Sequence, residues 1–393
     1  MFKRVGRVKS ASGEELFGRL FANVSRLFAL IGVDALDPKF RYKLLTMYPV
    51  LAALIAATEI LYFLGSTRSD MIQFMVTLPY ASFVTQGIHA LALALMNPAS
   101  FSSLHAKSYE IFKLLNENHG NRSILARPLR IGTVIQSMMT TLYVVILMFI
   151  LFLPLAAWWI AGQKILILLF RLPGVDESCT EGFLETMALH VALLPSAFCG
   201  FLGIDCLFLA LIVPIVAFVD AMANEMDELN QLLQSPESSQ GHEIRSKLSR
   251  LVQLHQLLIK YELTLEEHYN VVVFVKIGAI VFGMISTILV MFNVRDIMAF
   301  IFTIVLFEQL TQYCLLGAVI SSKNNQLINH LYDIKWYLLP ADQAKHLMLM
   351  LERAQNAPSL TVGKIATLNM ELYDNIMKKV YSYVMLMATF LEQ

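Results

Sequence analysis

The sequence predicts an all-α, polytopic membrane protein with seven transmembrane helices, a cytoplasmic N-terminus and an extracellular C-terminus. The chain of 393 residues is 57% hydrophobic and only 15% charged, and its mean hydropathy of +0.60 exceeds that of ordinary soluble domains. Two runs, 71–106 and 131–163, contain no Lys, Arg, Asp or Glu. Each is longer than the roughly 20 residues that a helix needs to cross a bilayer.

Four further apolar runs contain a single charged residue each, which a bundle of helices can hold away from lipid. They are 44–64 with Glu59, 186–219 with Asp205, 271–294 with Lys276 and 297–322 with Glu308. Together with the two uncharged runs they make six predicted spans. The closing stretch, from about residue 362, is the candidate seventh.

Basic residues fall on alternate sides of these spans. The N-terminal segment and the second, fourth and sixth loops hold 22 Lys and Arg, whereas the other three loops hold four. Because loops rich in Lys and Arg stay in the cytoplasm, we expect a cytoplasmic N-terminus, and seven crossings leave the C-terminus outside. The segment before residue 44 has no apolar core with a cleavage site, so no cleaved signal peptide is expected.

Two segments on the cytoplasmic side have amphipathic, helical patterns. In the fourth loop apolar residues recur at helical spacing, so the fourth and fifth spans should continue as helices beyond the membrane. These residues are Ile244, Leu248, Leu251, Leu254 and Leu258. A second apolar stripe occupies 343–355, before the last span. Such stripes need partners, either each other or another subunit.

Charged residues within the spans are candidates for function, because burying a charge is costly. Asp205 and Lys276 lie on adjacent spans toward the same side of the membrane, and we predict that they form an ion pair. Cys179 and Cys199 either pair on the outer side or remain free thiols. No metal-ligand spacing, phosphate loop, dinucleotide fingerprint or Ser-His-Asp set is present, and acidic and basic residues are equal in number. We therefore expect no enzyme, cofactor, metal or nucleic-acid partner.

The closing stretch carries charge where a membrane helix should be apolar. As a helix it places a polar stripe along one side, consisting of Glu371, Asn375, Lys378, Ser382, Met385 and Thr389. The other side offers for packing Leu372, Ile376, Val380, Tyr383, Met387 and Leu391. In one interpretation the stripe lines a water-filled lumen that narrows at Met385, Leu386 and Thr389, where an apolar constriction gates by dewetting. In the other it makes buried contacts between helices, with Asp374 and Lys378 as an i,i+4 pair.

The segment from Gln309 to the end resembles the C-terminal signature of insect odorant receptors. The matching positions are Gln309, Tyr313, Cys314, Gly317, the run YDIKWYLLP at 332–340, Gly363, Lys364, Leu368 and the closing Tyr381-Ser382-Tyr383. Two positions depart from the family pattern, Ala354, where Ser is frequent, and Tyr373, where Phe is common. The rest of the chain matches in length, number of spans and orientation, and it lacks the larger cytoplasmic insertion of the family's shared co-receptor. The resemblance therefore implies an odorant-tuning subunit.

The resemblance implies a ligand-gated, non-selective cation channel in the plasma membrane of sensory neurons. Such a subunit joins the co-receptor in a heterotetramer, and the last helix of each subunit lines a central pore whose gate lies at Leu386, with Met385 beside it. The implied division is 1–43, a cytoplasmic segment; 44–219, four spans with the ligand-binding region; 220–270, a cytoplasmic helical anchor; 271–322, the fifth and sixth spans; 323–361, a second anchor segment; and 362–393, the pore-lining last helix.

By the same resemblance, a small volatile odorant binds in the outer half of the membrane, between the second, third, fourth and sixth spans. The residues of that region that we expect around it are Tyr80, Phe83, Tyr143, Phe149, Phe152, Pro195, Phe198, Phe300, Thr303 and Phe307. Most are aromatic, as suits an apolar ligand. The alternatives are a gustatory-type receptor channel, which the Tyr-Ser-Tyr ending disfavours, and a G-protein-linked seven-helix receptor, which the basic N-terminal segment disfavours.

Overall fold

The computed structural model describes residues 12–34, 36–37, 40–67, 71–96, 98–168, 175, 179–235, 241–294 and 297–391. Within these residues the regular secondary structure is helical apart from one short hairpin. The helices are α1 Gly13–Leu30, α2 Met47–Ser66, α3 Met71–Met96, α4 Pro98–Asn116, α5 Asn121–Ala161, α6 Thr180–Gln234, α7 Gly241–Val294, α8 Ile297–Tyr332, α9 Ala341–Gln355 and α10 Met370–Leu391. The antiparallel hairpin pairs β1 Thr361–Val362 with β2 Ala366–Thr367.

Among the described residues, six helices are long and apolar enough to cross a membrane. They are α2, with the short 3₁₀ turn Leu44–Thr46 before it, α3, α5, α6, α7 and α8. They coincide with the six apolar runs of the sequence, so the prediction of an all-α, polytopic membrane protein is confirmed. The charged α10 does not reach the same apolarity over its length. Its membrane crossing and the orientation of the bundle remain predictions.

Helix α6 forms the centre of the bundle. In its most apolar window 94% of the residues are buried, against 11% in the equivalent window of α5. Helix α6 contacts α1, α4, α5, α7 and α8. The apolar side of α5 therefore faces outward, as a lipid-facing helix does, whereas α6 is surrounded by protein.

Helices α6 and α7 extend well beyond a bilayer, as predicted. They contain 55 and 54 residues. At 1.5 Å per residue each is roughly 80 Å long, more than twice the about 30 Å of the hydrocarbon core. The predicted leucine stripe is buried along this extension, with Leu248, Leu251, Leu254 and Leu258 each no more than 3% exposed. The 236–240 linker between the two helices lies outside the described residues.

The N-terminal segment contains a helix that the sequence analysis did not predict. Ser12 caps α1 by accepting a hydrogen bond from the backbone N–H of Glu15, and the buried side of the helix includes Phe17, Phe21 and Phe28. This side packs against α5 and α6. The turn that follows is tied to the start of the first span, because the Thr46 hydroxyl donates to the backbone carbonyl of Gly32 at 2.6 Å.

The last helix begins at Met370 and not at the predicted residue 362, because a hairpin turn lies in between. Gly363 and Lys364 both have positive φ, at 59° and 60°, which no helix accommodates. The hairpin is held against α7 by two interactions. The Thr361 backbone N–H and hydroxyl donate to the Glu266 carboxylate, and the Gly363 N–H donates to the backbone carbonyl of Asn270 at 2.9 Å.

Candidate ligand cavity and the charge cluster beside it

A cavity of about 130 Å³ lies between α2, α3, α6 and the end of α1. It exists because small residues face one another where three helices meet. Nine of its lining residues are Ala, Gly or Ser: Ala52, Ala53 and Ala56 on α2, Gly87, Ala90 and Ala94 on α3, and Ser196, Ala197 and Gly200 on α6. A Cβ atom on Gly200 would meet no atom within 4 Å, so this side of α6 borders open space.

Aromatic rings form the wall on one side of the cavity. Tyr80, Phe83 and Phe201 line it, and the rings of Phe83 and Phe201 meet edge to face with centroids 6.0 Å apart. Phe302 of α8 packs against this wall. Its ring centroid lies 5.5 Å from that of Tyr80 and 4.9 Å from that of Phe83. Such ring pairs hold one another in place and present an apolar, polarisable surface.

Among the residues that the structure describes, the lining of the cavity is apolar and uncharged. The 22 described lining residues include no Asp, Glu, Lys, Arg or His, and among them only Tyr80 and Ser196 carry hydroxyl groups. A charged ligand would lose its hydration without compensation there, whereas a small apolar molecule would gain dispersion contacts. The cavity thus suits a neutral ligand with one or two hydrogen-bonding groups at most.

The residues expected around an odorant do not converge on one site. Tyr80 and Phe83 line the cavity, and Tyr143 and Phe198 pack against each other with ring centroids 6.5 Å apart. Thr303 donates to the backbone carbonyl of Ala299 in its own helix. The remaining nominated side chains are exposed on the outside of the bundle: Phe149, Phe152, Pro195, Phe300 and Phe307.

The predicted ion pair between Asp205 and Lys276 is confirmed, with 3.1 Å between the carboxylate and the ammonium group. Both side chains are almost completely buried, at 0% and 5% exposure. A buried pair is stable only when further hydrogen bonds satisfy the carboxylate. Here Tyr143 donates to one oxygen at 3.0 Å and Tyr313 to the other at 3.1 Å.

Two glutamines of α8 complete this charge cluster, which we define as Tyr143, Asp205, Lys276, Gln309, Gln312 and Tyr313. The Gln309 amide donates to the Tyr143 hydroxyl at 3.0 Å and to the Asp205 carboxylate at 3.3 Å. The Gln312 amide donates to the Asp205 backbone carbonyl at 3.0 Å. Tyr143 was expected around the odorant, but the structure engages its hydroxyl in the charge cluster. The cluster joins α5, α6, α7 and α8.

The charge cluster is connected to the segment before the last helix. Gln309, Tyr313 and Gly317 follow one another at intervals of four residues on α8, so they share one side of that helix. Gly317 lies directly against the backbone carbonyl and side chain of Leu368, with no room for a Cβ atom. Leu368 itself is completely buried and lies two residues before Met370, where α10 begins.

The polar stripe of α10 is exposed in the single chain. All of its members, Glu371, Asn375, Lys378, Ser382, Met385 and Thr389, are exposed, as is Leu386. Lys378 and Asp374 do form the i,i+4 pair, at 2.6 Å, but on the exposed surface and not between helices of this chain. The stripe therefore borders either water or a neighbouring molecule.

The packing side of α10 differs from the prediction in its C-terminal half. Ile376 and Val380 are buried as expected, but the next buried residue is Val384, while Tyr383 and Met387 are exposed. The contact thus follows a row at intervals of four residues, which winds around the helix, and α10 leaves the bundle beyond this row. The side chain of Leu391 lies outside the described residues.

All four cysteines are free thiols. Cys179 is exposed, whereas Cys199 is buried within α6, so of the two possibilities left open by the sequence the structure has the unpaired one. The buried Cys199, Cys206 and Cys314 pack as small apolar residues.

The small residues around the cavity are the part of the site that the sequence analysis missed. The aromatic residues Tyr80 and Phe83 were predicted, but the cavity exists because Ala and Gly residues leave space between the helices. The available signal was the spacing of small residues by three or four along each helix, as in Gly87, Ala90 and Ala94. Read on one helix, such a stripe is equally compatible with close helix packing.

Comparison with known proteins gives a consistent result. The chain matches the family model described as 7tm odorant receptor over residues 70–381. It is 21% identical to putative odorant receptor 83c of Drosophila melanogaster over 404 aligned positions, which cover 96% of this chain and 98% of that protein. It is 28% identical to odorant receptor 22c of the same species over 153 residues, 38% of each chain.

The fold is similar to that of solved structures. The olfactory receptor OR5 of the insect Machilis hrabei, in a structure with eugenol, superposes with a TM-score of 0.80 at 12% identity, covering 95% of this chain and 98% of that chain. The structure of the same receptor described without that ligand gives a TM-score of 0.78 at 13% identity, with 93% and 96% coverage.

Proposed function

The chain belongs to the insect odorant receptor family, and from that premise we propose that it is the odorant-binding subunit of a ligand-gated, non-selective cation channel. The observation that carries the proposal is the apolar cavity bordered by Tyr80, Phe83 and Phe201, next to a charge cluster that leads to the last helix. A receptor channel needs both a ligand site and a connection from that site to the pore.

The proposed ligand is a small, neutral volatile that occupies this cavity. A cavity of about 150 Å³ lined by aliphatic and aromatic side chains admits a benzene ring, so the present cavity of about 130 Å³ fits a molecule with one ring or a short chain. The hydroxyl groups of Tyr80 and Ser196 would contact an ether, carbonyl or hydroxyl group. Of the residues nominated from the sequence, Tyr80 and Phe83 are retained in this proposal.

The proposed partner is the family's co-receptor, in a heterotetramer. Exposed apolar side chains next to α8 and on α9 support assembly with other subunits, since the surface of a monomeric soluble protein seldom carries such a patch. Trp336, Tyr337 and Leu338 are 46% to 67% exposed, and Met348 and Leu349 are 60% or more exposed. These residues belong to the segment 323–361 that was interpreted as an anchor between subunits.

The proposed pore is lined by the exposed stripe of α10, with the gate at Met385, Leu386 and Thr389. The N-terminal part of the stripe carries Glu371, Asn375, Lys378 and Ser382, which are suited to water. Near its C-terminal end the exposed Met385 and Leu386 are apolar. Odorant binding would shift the population from closed to open arrangements of the last helices. In this proposal the N-terminus is cytoplasmic, α10 crosses the membrane as the seventh span, and the receptor lies in the plasma membrane of sensory neurons.

The test is whole-cell current in cells that express this chain alone or with the co-receptor, while G-protein cycling is blocked. The probes are a panel of neutral single-ring volatiles that includes anisole, acetophenone and eugenol. A cation current that requires both chains and survives the block supports the proposal. Current that disappears under the block, or that never requires the co-receptor, would contradict it and favour a G-protein-linked or a gustatory-type receptor respectively.

A further inference from the structure

Phe201 contacts both the ligand cavity and the buried ion pair. The residue lines the cavity, and the Lys276 ammonium lies 5.6 Å from its ring centroid. We propose that Phe201 is the positioning residue through which occupation of the cavity reaches the Asp205–Lys276 pair and then the last helix. This inference rests on the proposed function, because it assigns the route from the odorant to the pore.

The Lys276 ammonium depends on its aromatic neighbours. It is buried, its ion-pair partner Asp205 lies on one side, and the rings of Phe201 and Tyr313 lie within 6 Å, at 5.6 and 5.8 Å. A buried cation without water is stabilised by the faces of such rings. A displacement of the Phe201 ring therefore changes the environment of the ammonium group directly.

Phe201 has room to respond to a ligand. It is only half-buried, its neighbour Gly200 borders open space, and a Cβ on Gly87 opposite would lie 3.7 Å from the end of the ring. Phe83 touches it edge to face at 6.0 Å. A ring-sized molecule that enters between these groups must share space with the Phe201 side chain.

The ion pair is in turn connected to α8 and the last helix. Asp205 accepts a hydrogen bond from Tyr313 at 3.1 Å, and its backbone carbonyl accepts one from Gln312 at 3.0 Å. One helical turn beyond Tyr313, Gly317 lies against Leu368 without space between them. A rotation or shift of α8 at the charge cluster must therefore displace the segment that leads into α10, because packed contacts transmit such movements.

The experiment compares Phe201→Leu with Phe183→Leu, two identical changes on α6. Leucine keeps an apolar side chain in the cavity wall but has no ring face for the cation. Phe183 is buried against Trp158 in the apolar cluster that also contains Tyr80 and Phe302, so the control loses a ring that packs behind the cavity wall and not one that faces Lys276. The readout is the rate at which a cationic methanethiosulfonate reagent modifies Ser382→Cys on α10 in the full-length protein, with no odorant present. All variants carry Cys179→Ser, which removes the exposed thiol of the parent.

We expect Phe201→Leu to change that rate at least about threefold, and we expect the change to vanish when Lys276→Met and Asp205→Asn are also present, because coupled residues are not additive. Phe183→Leu should leave the rate as it is. Equal rates in Phe201→Leu and the parent, or a change that persists without the ion pair, would overturn the inference.

A second measurement separates this inference from the proposed function. Anisole is applied to the co-expressed channel, and the maximal current is compared between the parent and Phe201→Leu. A parent channel that gives no current contradicts the proposed function, while the modification rates still decide the inference. A parent channel that responds and a Phe201→Leu channel with an unchanged maximal current would contradict the role of Phe201 alone.

Discussion

Gly317 lies against the backbone carbonyl of Leu368 so closely that no side chain fits between α8 and the start of the last helix. The contact fixes where the chain enters α10, since the Leu368 N–H also donates to the backbone carbonyl of Leu360 at 2.8 Å, across the hairpin. A glycine is needed here for close approach and not for an unusual backbone conformation, because Gly317 lies within a regular helix.

Gly317→Ala should therefore displace the last helix. The added Cβ meets backbone atoms of Leu368, which cannot move aside as the end of a flexible side chain can. We expect the free energy of unfolding to fall by about 1–3 kcal/mol, the usual cost of overpacking. The measurement is the melting temperature of the purified protein, which should be lower. Gly278→Ala on α7 is the matched control, because its Cβ would meet nothing within 4 Å. A Gly317→Ala protein as stable as the parent would show that the segment before α10 adapts freely.

Removing one charge of the Asp205–Lys276 pair should lower the stability of the protein more than removing both. Asp205→Asn leaves a buried ammonium group without its counter-ion, which costs about 3–5 kcal/mol in comparable cases. The double variant Asp205→Asn, Lys276→Met removes the unpaired charge and should recover much of the melting temperature. If the melting temperature of the double variant falls as far or further, the carboxylate stabilises the protein mainly by accepting the hydrogen bonds of Tyr143 and Tyr313.

A swap of the two charges is a poorer test of this pair. It would place an ammonium group, which only donates hydrogen bonds, opposite the hydroxyl groups of Tyr143 and Tyr313 that now donate to Asp205. The neutral double variant keeps acceptor capacity at position 205 in the form of the Asn carbonyl. Thermal stability, followed on the detergent-solubilised protein, distinguishes the variants without any need for a ligand.

The features that were predictable from the sequence are those that depend on a single helix or on charge. Long apolar runs locate the six spans, and the leucine spacing near Leu251 extends α7 beyond them. The ion pair was predictable because a lone acid and a lone base on adjacent apolar spans have few other partners. The signature residues Gln309, Tyr313 and Gly317 now have a physical reason, since they line the side of α8 that meets Asp205 and Leu368.

The features that were not predictable arise from contacts between distant segments. The cavity is space left by small residues on α2, α3 and α6, and its position depends on how these helices cross. The hairpin before α10 has strands of two residues, too short for an alternating pattern to be visible. Its turn at Gly363 is recognisable only as a glycine, and its docking to Glu266 and Asn270 is a contact across about ninety residues.

The Glu266 carboxylate should hold the hairpin in place. It accepts hydrogen bonds from both the backbone N–H and the hydroxyl of Thr361. Glu266→Ala removes both acceptors, and we expect faster hydrogen–deuterium exchange across 361–367 together with a loss of about 1–3 kcal/mol, as for hydrogen bonds to a charged group. Glu267→Ala is the matched control, because the neighbouring side chain is exposed. Unchanged exchange in Glu266→Ala would show that the Gly363 contact with α7 is sufficient.

The volume of the cavity should determine which volatiles act. Gly200→Leu adds a side chain at a cavity-lining position where a Cβ atom would meet no atom within 4 Å. We expect the concentration for half-maximal current with single-ring volatiles to rise about tenfold, equivalent to about 1.4 kcal/mol, while expression and melting temperature stay near those of the parent. Gly278→Leu adds the same side chain at an open, exposed position on α7. A similar rise in both variants would indicate a general effect and would place the ligand elsewhere.

The two sides of α10 should differ in their access to water. Ser382 is exposed and belongs to the polar stripe, whereas Val380, two residues earlier, is 1% exposed and packs into the bundle. In the assembled channel a cationic thiol reagent should react with Ser382→Cys and reduce the odorant-evoked current. It should react at least about tenfold more slowly with Val380→Cys, because a charged, hydrated reagent does not enter a packed apolar contact. The α10 helix contains no cysteine, so with the exposed Cys179 replaced by Ser the current of the otherwise unchanged channel should be unaffected by the reagent. If Ser382→Cys is protected in both the resting and the stimulated channel, the stripe is covered by a neighbouring subunit, and the interpretation of α10 as the pore lining is wrong.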